Sequence, residues 1–497
     1  MILWEDIAAS LDIEPTNEAQ SPAEAVSPSL HPHGDENRPV KASAPGRGTF
    51  FDEHIDLRDP EGGQLVERLI EAFDTVRPKK RKRHRELLKI RLRRIAANAL
   101  RGYFYRDPAS ILYYSASSST AYDDKPSLMK NGSLRKAVDA LADAGLVRKI
   151  PGKKMPRNSE TRSWTSSFWA TDELVCMAME CGVTAQSIER QMPSDALVQL
   201  YAPKPKAKFE WASKDLIRPA KGRRIPFNPT AETEGWATSL AAINSGYRER
   251  NIALGLSPAE LALWLIECNA SRDRKGGQYR LPETFSTDLY RVFNEGIATD
   301  PKFDMGGRMF GGWWMQIPSD LRSAITIDGQ TTVELDYANC HPRMLYAERG
   351  LDCAGELYEL PEITAYEVQS GLEPGTYRPC IKWLTQVLIN GKRRPQEKEM
   401  PDDIDLPPGF TVKDIAAFIE VRHQPIADAF KTGAGLRLMW LESQIALEIV
   451  STATAEGWTV LPVHDSFITT TDQQDRLKSM MIESYSRRFG MEPIIKH

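Results

Sequence analysis

Cysteine is scarce in this chain, with six in 497 residues. They stand at 176, 181, 268, 340, 353 and 380, and no two form a C-x2-C metal-ligand pair. A disulfide scaffold is therefore not expected, and reduced thiols in a cytoplasmic setting are. Long apolar runs are missing too: none is long enough to span a membrane, so no membrane partner is expected. The opening MILWEDIAASLDIEP has no basic n-region and no long apolar core, which argues against a signal peptide. Net charge is also small. The 64 Lys and Arg are outnumbered by 68 Asp and Glu, leaving −4. Any nucleic-acid surface must then be a local patch rather than a global field. Residues 14–48 contain no Phe, Trp or Tyr and are rich in Pro, Ser, Ala and Glu. Such a segment cannot bury enough surface to fold, so residues 1–51 read as an N-terminal peptide and a linker. Met1 to Ile13 reads either as a short amphipathic helix that docks on a protein partner or as a frayed terminus.

What is present begins with a dense basic run. Lys79 to Arg101 reads KKRKRHRELLKIRLRRIAANALR, with Glu86 its single acid. Partial helical spacing of its apolar residues predicts a basic helix. One-signed density of this kind favours contact with a polyanion over a merely solvated face. Gly132 to Val147 predicts an amphipathic helix capped by Ser133. Two β-like runs follow, joined by the basic loop PGKKMPR. Helix then basic hairpin resembles a winged helix-turn-helix DNA-binding domain over 52–172. In that arrangement Arg135 and Lys136 face DNA, and Lys153, Lys154 and Arg157 sit in the wing. A small α/β module with basic loops fits the same pattern. Residues 173–300 are mainly helical by pattern, notably Ala231–Ile252 and Pro258–Ala270, with a basic loop at Arg218–Arg224.

Three stretches carry the chemistry. In TTVELDYANCHPRMLY, residues 331–346, alternation through Val333, Glu334, Leu335 and Asp336 predicts a strand. Pro342 marks the start of a helix. Asp336 then lies at a strand end, beside a turn. In GWTVLPVHDSFITTT, residues 457–471, two β runs flank His464, Asp465 and Ser466, which predicts a hairpin with Asp465 at its tip. Two such carboxylates are the minimum that can clamp two Mg²⁺ ions, roughly 3.5–4 Å apart, around a transferring phosphoryl group. Between them, YRPCIKWLTQVLING places Arg378, Lys382, Gln386 and Asn390 four residues apart, on one helical face. That face suits a triphosphate and a base pair, or simply solvent.

The order of these stretches resembles motifs A, B and C of the family A DNA polymerases and the single-subunit phage-type RNA polymerases. The whole chain is also similar to polymerase-like proteins carried on plasmids and prophages. The match spans about 301 to 497. Gly306–Phe310 resembles the Arg-containing segment that touches the primer, and Leu441–Ile449 the Gln-containing helix before motif C. The resemblance implies an α/β fold, a right-hand polymerase of palm, fingers and thumb, preceded by the winged-helix-like domain. Residues 173–300 would be thumb-like, and 301–497 the palm with a fingers insertion at about 350–435. It also implies nucleotidyl transfer from a nucleoside triphosphate to a 3′-hydroxyl on a DNA template and primer. Asp336 and Asp465 would hold two Mg²⁺ ions, or Mn²⁺ in their place. Arg378 and Lys382 would bind triphosphate, with Lys382 placed to protonate the leaving group. Tyr337, His341, Gln386 and Asn390 would line the nucleotide, and Arg308, Gln444 and His464 would touch the primer strand.

Gln386 and Asn390 depart from the family's aromatic and Tyr positions, and HDSF leans towards the RNA enzymes while DY leans towards the DNA enzymes. His341, five residues after Asp336, takes the position that excludes a 2′-hydroxyl; as a bulky ring it predicts a preference for dNTPs. A structural histidine in the turn before Pro342 is the other reading. No D-x-E exonuclease signature occurs in a plausible strand, so proofreading is not expected. A primase or RNA polymerase using NTPs is the alternative within the class. From another class, the alternative is a DNA-binding replication initiator or regulator with an inactive palm.

Overall fold

The computed structural model describes residues 49–76, 82–105, 112–114, 131–152, 166–203, 224–272, 279, 281–353, 355–401 and 403–497. The expected N-terminal helix and linker, Lys79 to Arg81, the wing residues Lys153, Lys154 and Arg157, and residues 218–223 of the second basic loop lie outside them. The fold is mixed α/β. The chain divides into two compact units, one of residues 1–191 with 256–285, the other of residues 192–255 with 286–497. The stretch 173–300 thus contributes to both.

The first unit is built on strands β1 (Thr49–Phe50) and β2 (Ile55–Leu57), then helices α1 (Glu61–Val76) and α2 (Lys82–Tyr105). Strand β3 (Leu112–Tyr113), helix α3 (Asn131–Asp143), and strands β4 (Val147–Ile150), β5 (Ser167–Ala170) and β6 (Ile188–Arg190), the last paired with β2, follow. Strands β4 and β5 pair antiparallel, Val147 opposite Ala170, so a helix followed by a hairpin is present. Helix α3 starts at Asn131, which puts Ser133 inside its first turn rather than at its cap. Leu65, Leu69, Leu92, Ile95, Leu134 and Leu141 share one apolar core.

The basic helix needs a correction. Arg85, Lys89, Arg93, Arg94 and Arg101 are not a free surface, because acids brought by neighbouring elements pair with them. Arg85 pairs with Asp74 at 2.7 Å and Lys89 with Glu67 at 2.6 Å. Arg93 pairs with Asp56 at 2.8 Å and with Asp59 at 3.0 Å. Arg101 makes a bidentate pair with Glu283, both contacts 2.6 Å. The sequence shows one acid within the run because its partners lie far away along the chain.

The second unit holds two sheets. One has the order β11-β10-β7-β8, from Val198–Tyr201 (β7), Arg224–Ile225 (β8), Tyr290–Phe293 (β10) and Gly306–Phe310 (β11). The other orders β14-β15-β13-β12-β9, with β16 also on β13. Its strands are β9 (Ile252–Leu254), β12 (Ile325–Ile327), β13 (Gln330–Tyr337), β14 (Leu461–Val463), β15 (Ser466–Thr470) and β16 (Ile495–Lys496). Every pairing in it is antiparallel. Helix α4 (Ala231–Arg248) enters the same unit before β9. Between β13 and β14 the chain is helical: α5 (Cys340–Ala347), α6 (Pro361–Gln369), α7 (Arg378–Asn390), α8 (Val412–Arg422) and α9 (Gly435–Ala455). Helix α10 (Gln474–Phe489) precedes β16. No helix among the described residues is long and apolar enough to cross a membrane, and none of the six cysteines is in a disulfide.

Candidate functional site

Strand β13 is central in its sheet, and its period-two alternation places Glu334 and Asp336 on one face. The two carboxylates have different fates. Glu334 is neutralised: Arg322 grips it through Nε and Nη2 at 2.8 and 2.9 Å, and Ser466 Oγ donates to Oε1 at 2.5 Å. Asp336 has no ion-pair or hydrogen-bond partner for its carboxylate among the described residues. Asp465 is brought beside it by register, since Asp336 faces Ser466 across β13 and β15 and the Tyr337 N–H donates to the Asp465 carbonyl at 3.3 Å. The hairpin turns through His464, whose φ of 61° lies in the left-handed region. A non-glycine residue held there is a strained choice of the kind that clusters at functional sites.

The two aspartates destabilise one another as anions. Burial first, then Asp465 and Glu334, push the Asp336 carboxyl up to about 7. Burial and Glu442 push Asp465 up as well. Two adjacent carboxyls, both raised and neither ion-paired, form a poor apo arrangement that a divalent cation relieves. Among the described residues no third Asp, Glu, His or Cys joins them. Two carboxylates suit Mg²⁺, which keeps waters and takes its remaining ligands from substrate phosphate.

The two aspartates line a cleft of about 280 Å³. Arg308, Asp336, Tyr337, His341, Arg378, Lys382, Gln386 and Asp465 all line it, although they come from four separate stretches. The turn from β13 into α5 makes this convergence possible: Asn339 adopts φ 53°, which Asn tolerates better than most residues. On α7, Arg378 donates to Glu356 at 3.2 Å and lies 5.2 Å above the Tyr358 ring. Lys382 is exposed and unpaired by any carboxylate within 4 Å among the described residues. Gln386 is fixed by Tyr358, its Nε2 donating to the phenol oxygen at 3.1 Å. Burial pushes that phenol up to about 12.

Three expected residues, Asn390, Gln444 and His464, do not line the cleft. Asn390, one turn beyond Gln386, donates back to the Gln386 carbonyl at 2.7 Å and does not line the cleft. The reason is helical geometry: the stripe runs past the cleft's end. Gln444, with its amide turned so that the oxygen accepts, takes bonds from Trp440 Nε1 and Arg291 Nη2, each 3.1 Å. Arg291 is fully buried between Trp236 and Phe293. Gln444 thus serves this cation rather than the cleft. His464 packs its ring 6.1 Å from that of Phe310, burial lowers its pKa, and its Nδ1 is buried without a partner among the described residues. In the first unit, Arg135 and Lys136 are exposed on α3.

Sequence reasoning passed over several residues that shape the site. Glu442 is 3% exposed and accepts from Arg308 Nε and Nη2 at 2.8 and 2.6 Å and from His341 Nε2 at 2.9 Å. Burial works against its ionisation, but His341 and Arg308 hold the carboxyl below its usual range. It lies two residues before Gln444, inside the stretch already singled out, so proximity was the only signal. Glu356 is held down to about 2. Burial opposes this, and the Tyr358 backbone N–H, Arg378 and Asn339 outweigh it. Lys496 on β16 also lines the cleft. Neither residue belongs to a motif.

A comparison with models of protein families returns no match, and a comparison with curated proteins returns none either.

Proposed function

We propose that the chain is a template-directed nucleotidyltransferase, a DNA polymerase without proofreading, acting in the replication of a mobile element. The observation that carries this reading is the pair Asp336 and Asp465: adjacent, raised, unpaired, and facing Arg308, Arg378 and Lys382 across one cleft. A decayed site has no reason to keep two mutually repelling carboxylates, which disfavours an inactive palm. In this reading the six-stranded sheet is the palm, the helices between β13 and β14 are the fingers, and the first unit is the winged-helix-like domain.

The residues present fit two Mg²⁺ ions held by Asp336 and Asp465. Bound there, such ions lower the pKa of an attacking 3′-hydroxyl and neutralise charge on departing pyrophosphate. Arg378 and Lys382 draw the triphosphate to the mouth of the cleft, and Lys382 supplies a proton to the leaving group. Arg308, oriented by Glu442, holds the primer end. Gln386, fixed by Tyr358, borders the nascent pair. His341 crowds the sugar. The direct test is purified protein with a primed template, Mg²⁺ and either dNTPs or NTPs. Primer extension that is lost in Asp465→Ala supports the reading; no extension with either nucleotide set overturns it.

A further inference from the structure

Lys496 is a cleft cation that belongs to none of the three motif stretches. It stands on β16, with Asp336 as its direct partner on β13. Directly opposed residues of an antiparallel pair project to the same face, their Cβ atoms about 4.5–5.5 Å apart. Lys496 therefore leaves the sheet on the side of the two carboxylates, and it lines the cleft with them. Its contact is informative. Nζ lies 3.5 Å from Oε2 of Glu356, whose Oε1 accepts from Arg378 at 3.2 Å. One cation arrives from the sheet and the other from the first turn of α7, and they converge on one carboxylate. Their side chains are 52% and 36% exposed. Ion pairs this exposed are weak, so an entering polyanion can take both cations from Glu356.

We propose that Lys496 binds phosphate in this cleft, gripping the triphosphate of the incoming nucleotide together with Arg378. The proposal rests on the nucleotidyltransferase reading and adds a residue to it. A nucleic-acid backbone offers the same phosphate oxygens. The triphosphate is favoured because Arg378 shares Lys496's carboxylate and carries Lys382 one turn further along its helix.

The test uses the full chain, Mg²⁺, a primed template whose primer ends in a dideoxynucleotide so that no bond forms, and a fluorescent dNTP. Lys496→Ala weakens nucleotide binding roughly tenfold, the usual scale for one charge-assisted contact. Lys496→Arg restores most of it, and affinity for the primed template alone is unchanged. Lys382→Ala runs alongside. If Lys382→Ala weakens nucleotide binding and Lys496→Ala does not, the proposal is overturned. If Lys496→Ala weakens template binding and spares the nucleotide, the residue serves the nucleic-acid backbone and the proposal is again overturned. If neither lysine matters, the nucleotide reading of the cleft fails and takes the proposal with it.

Discussion

His341 Nε2 donates to Glu442 Oε2 at 2.9 Å, and both side chains are buried. The ring lining the cleft is therefore held from behind by a carboxylate that also grips Arg308. A ring fixed in this way cannot swing aside for a 2′-hydroxyl, and a clash in a packed site is not readily relieved. The expected outcome is preferential incorporation of dNTPs, relaxed towards NTPs by His341→Ala or His341→Gly. Competing incorporation assays measure this directly, and equal or better use of NTPs by the unaltered protein would favour a primase or RNA polymerase.

Glu442→Ala removes the shared partner of the buried His341 and the half-buried Arg308. Loss of one member of a buried charged network costs about 3–5 kcal/mol. Glu442→Gln keeps the shape and one acceptor, so it loses less stability while its dNTP preference falls. Denaturant melts alongside incorporation ratios check both parts. An unchanged ratio in a folded Gln variant would show that His341 needs no anchor.

Asp465→Ala abolishes incorporation while leaving the fold and DNA binding nearly intact, because a hairpin-tip carboxylate contributes little packing and loss of a ligand disturbs both metals. The raised carboxyls add a second expectation. With EDTA present, Asp465→Asn melts roughly 1–4 °C higher than the unaltered protein, since a like charge is gone. Added Mg²⁺ then stabilises the unaltered protein and not the variant. Near-normal primer extension by Asp465→Ala would falsify the assignment.

pH offers an independent view of Asp336. Its carboxyl sits at about 7 in the folded metal-free chain against 3.8 unfolded. A raised acid favours the fold while protonated, so its contribution is complete below about pH 4 and is lost as pH rises through 7. Melting in EDTA should thus fall between about pH 4 and 7, and Asp336→Asn should flatten that decline. Mg²⁺ binding should strengthen over the same window, because the ion competes with a proton. A melting temperature equally pH-dependent in both proteins would count against the assignment.

The basic run Lys79–Arg101 carries two separable expectations. Replacing Lys79, Lys80, Arg81, Lys82 and Arg83 with Ala should weaken binding to all DNA sequences alike and lower the salt slope, as phosphate contacts release counterions. Arg101→Ala should instead destabilise the first unit by about 1.5–3 kcal/mol, because it removes two charge-assisted bonds to Glu283, while the salt slope stays unchanged. An unchanged slope in the five-residue variant would mark that end as a solvated face.

Local pattern determined much of what this protein is. Alternation placed Asp336 near the end of a strand, turn residues placed Asp465 at a hairpin tip, and four-residue spacing aligned Arg378, Lys382 and Gln386 on one face of α7. Each depends on neighbours within about ten residues, where backbone periodicity is decisive. Tertiary structure alone decided which charges remain free. Glu334 and Asp336 are two residues apart on one strand face, yet Arg322 and Ser466 bond the first and leave the second bare. The cations of α2 look free along the chain and are paired across it with Asp56, Asp74 and Glu283. Glu442, Glu356 and Lys496 acquire meaning only where distant strands and helices meet. Coulombic pairing and desolvation act through space over a few ångströms, and sequence separation does not register in either.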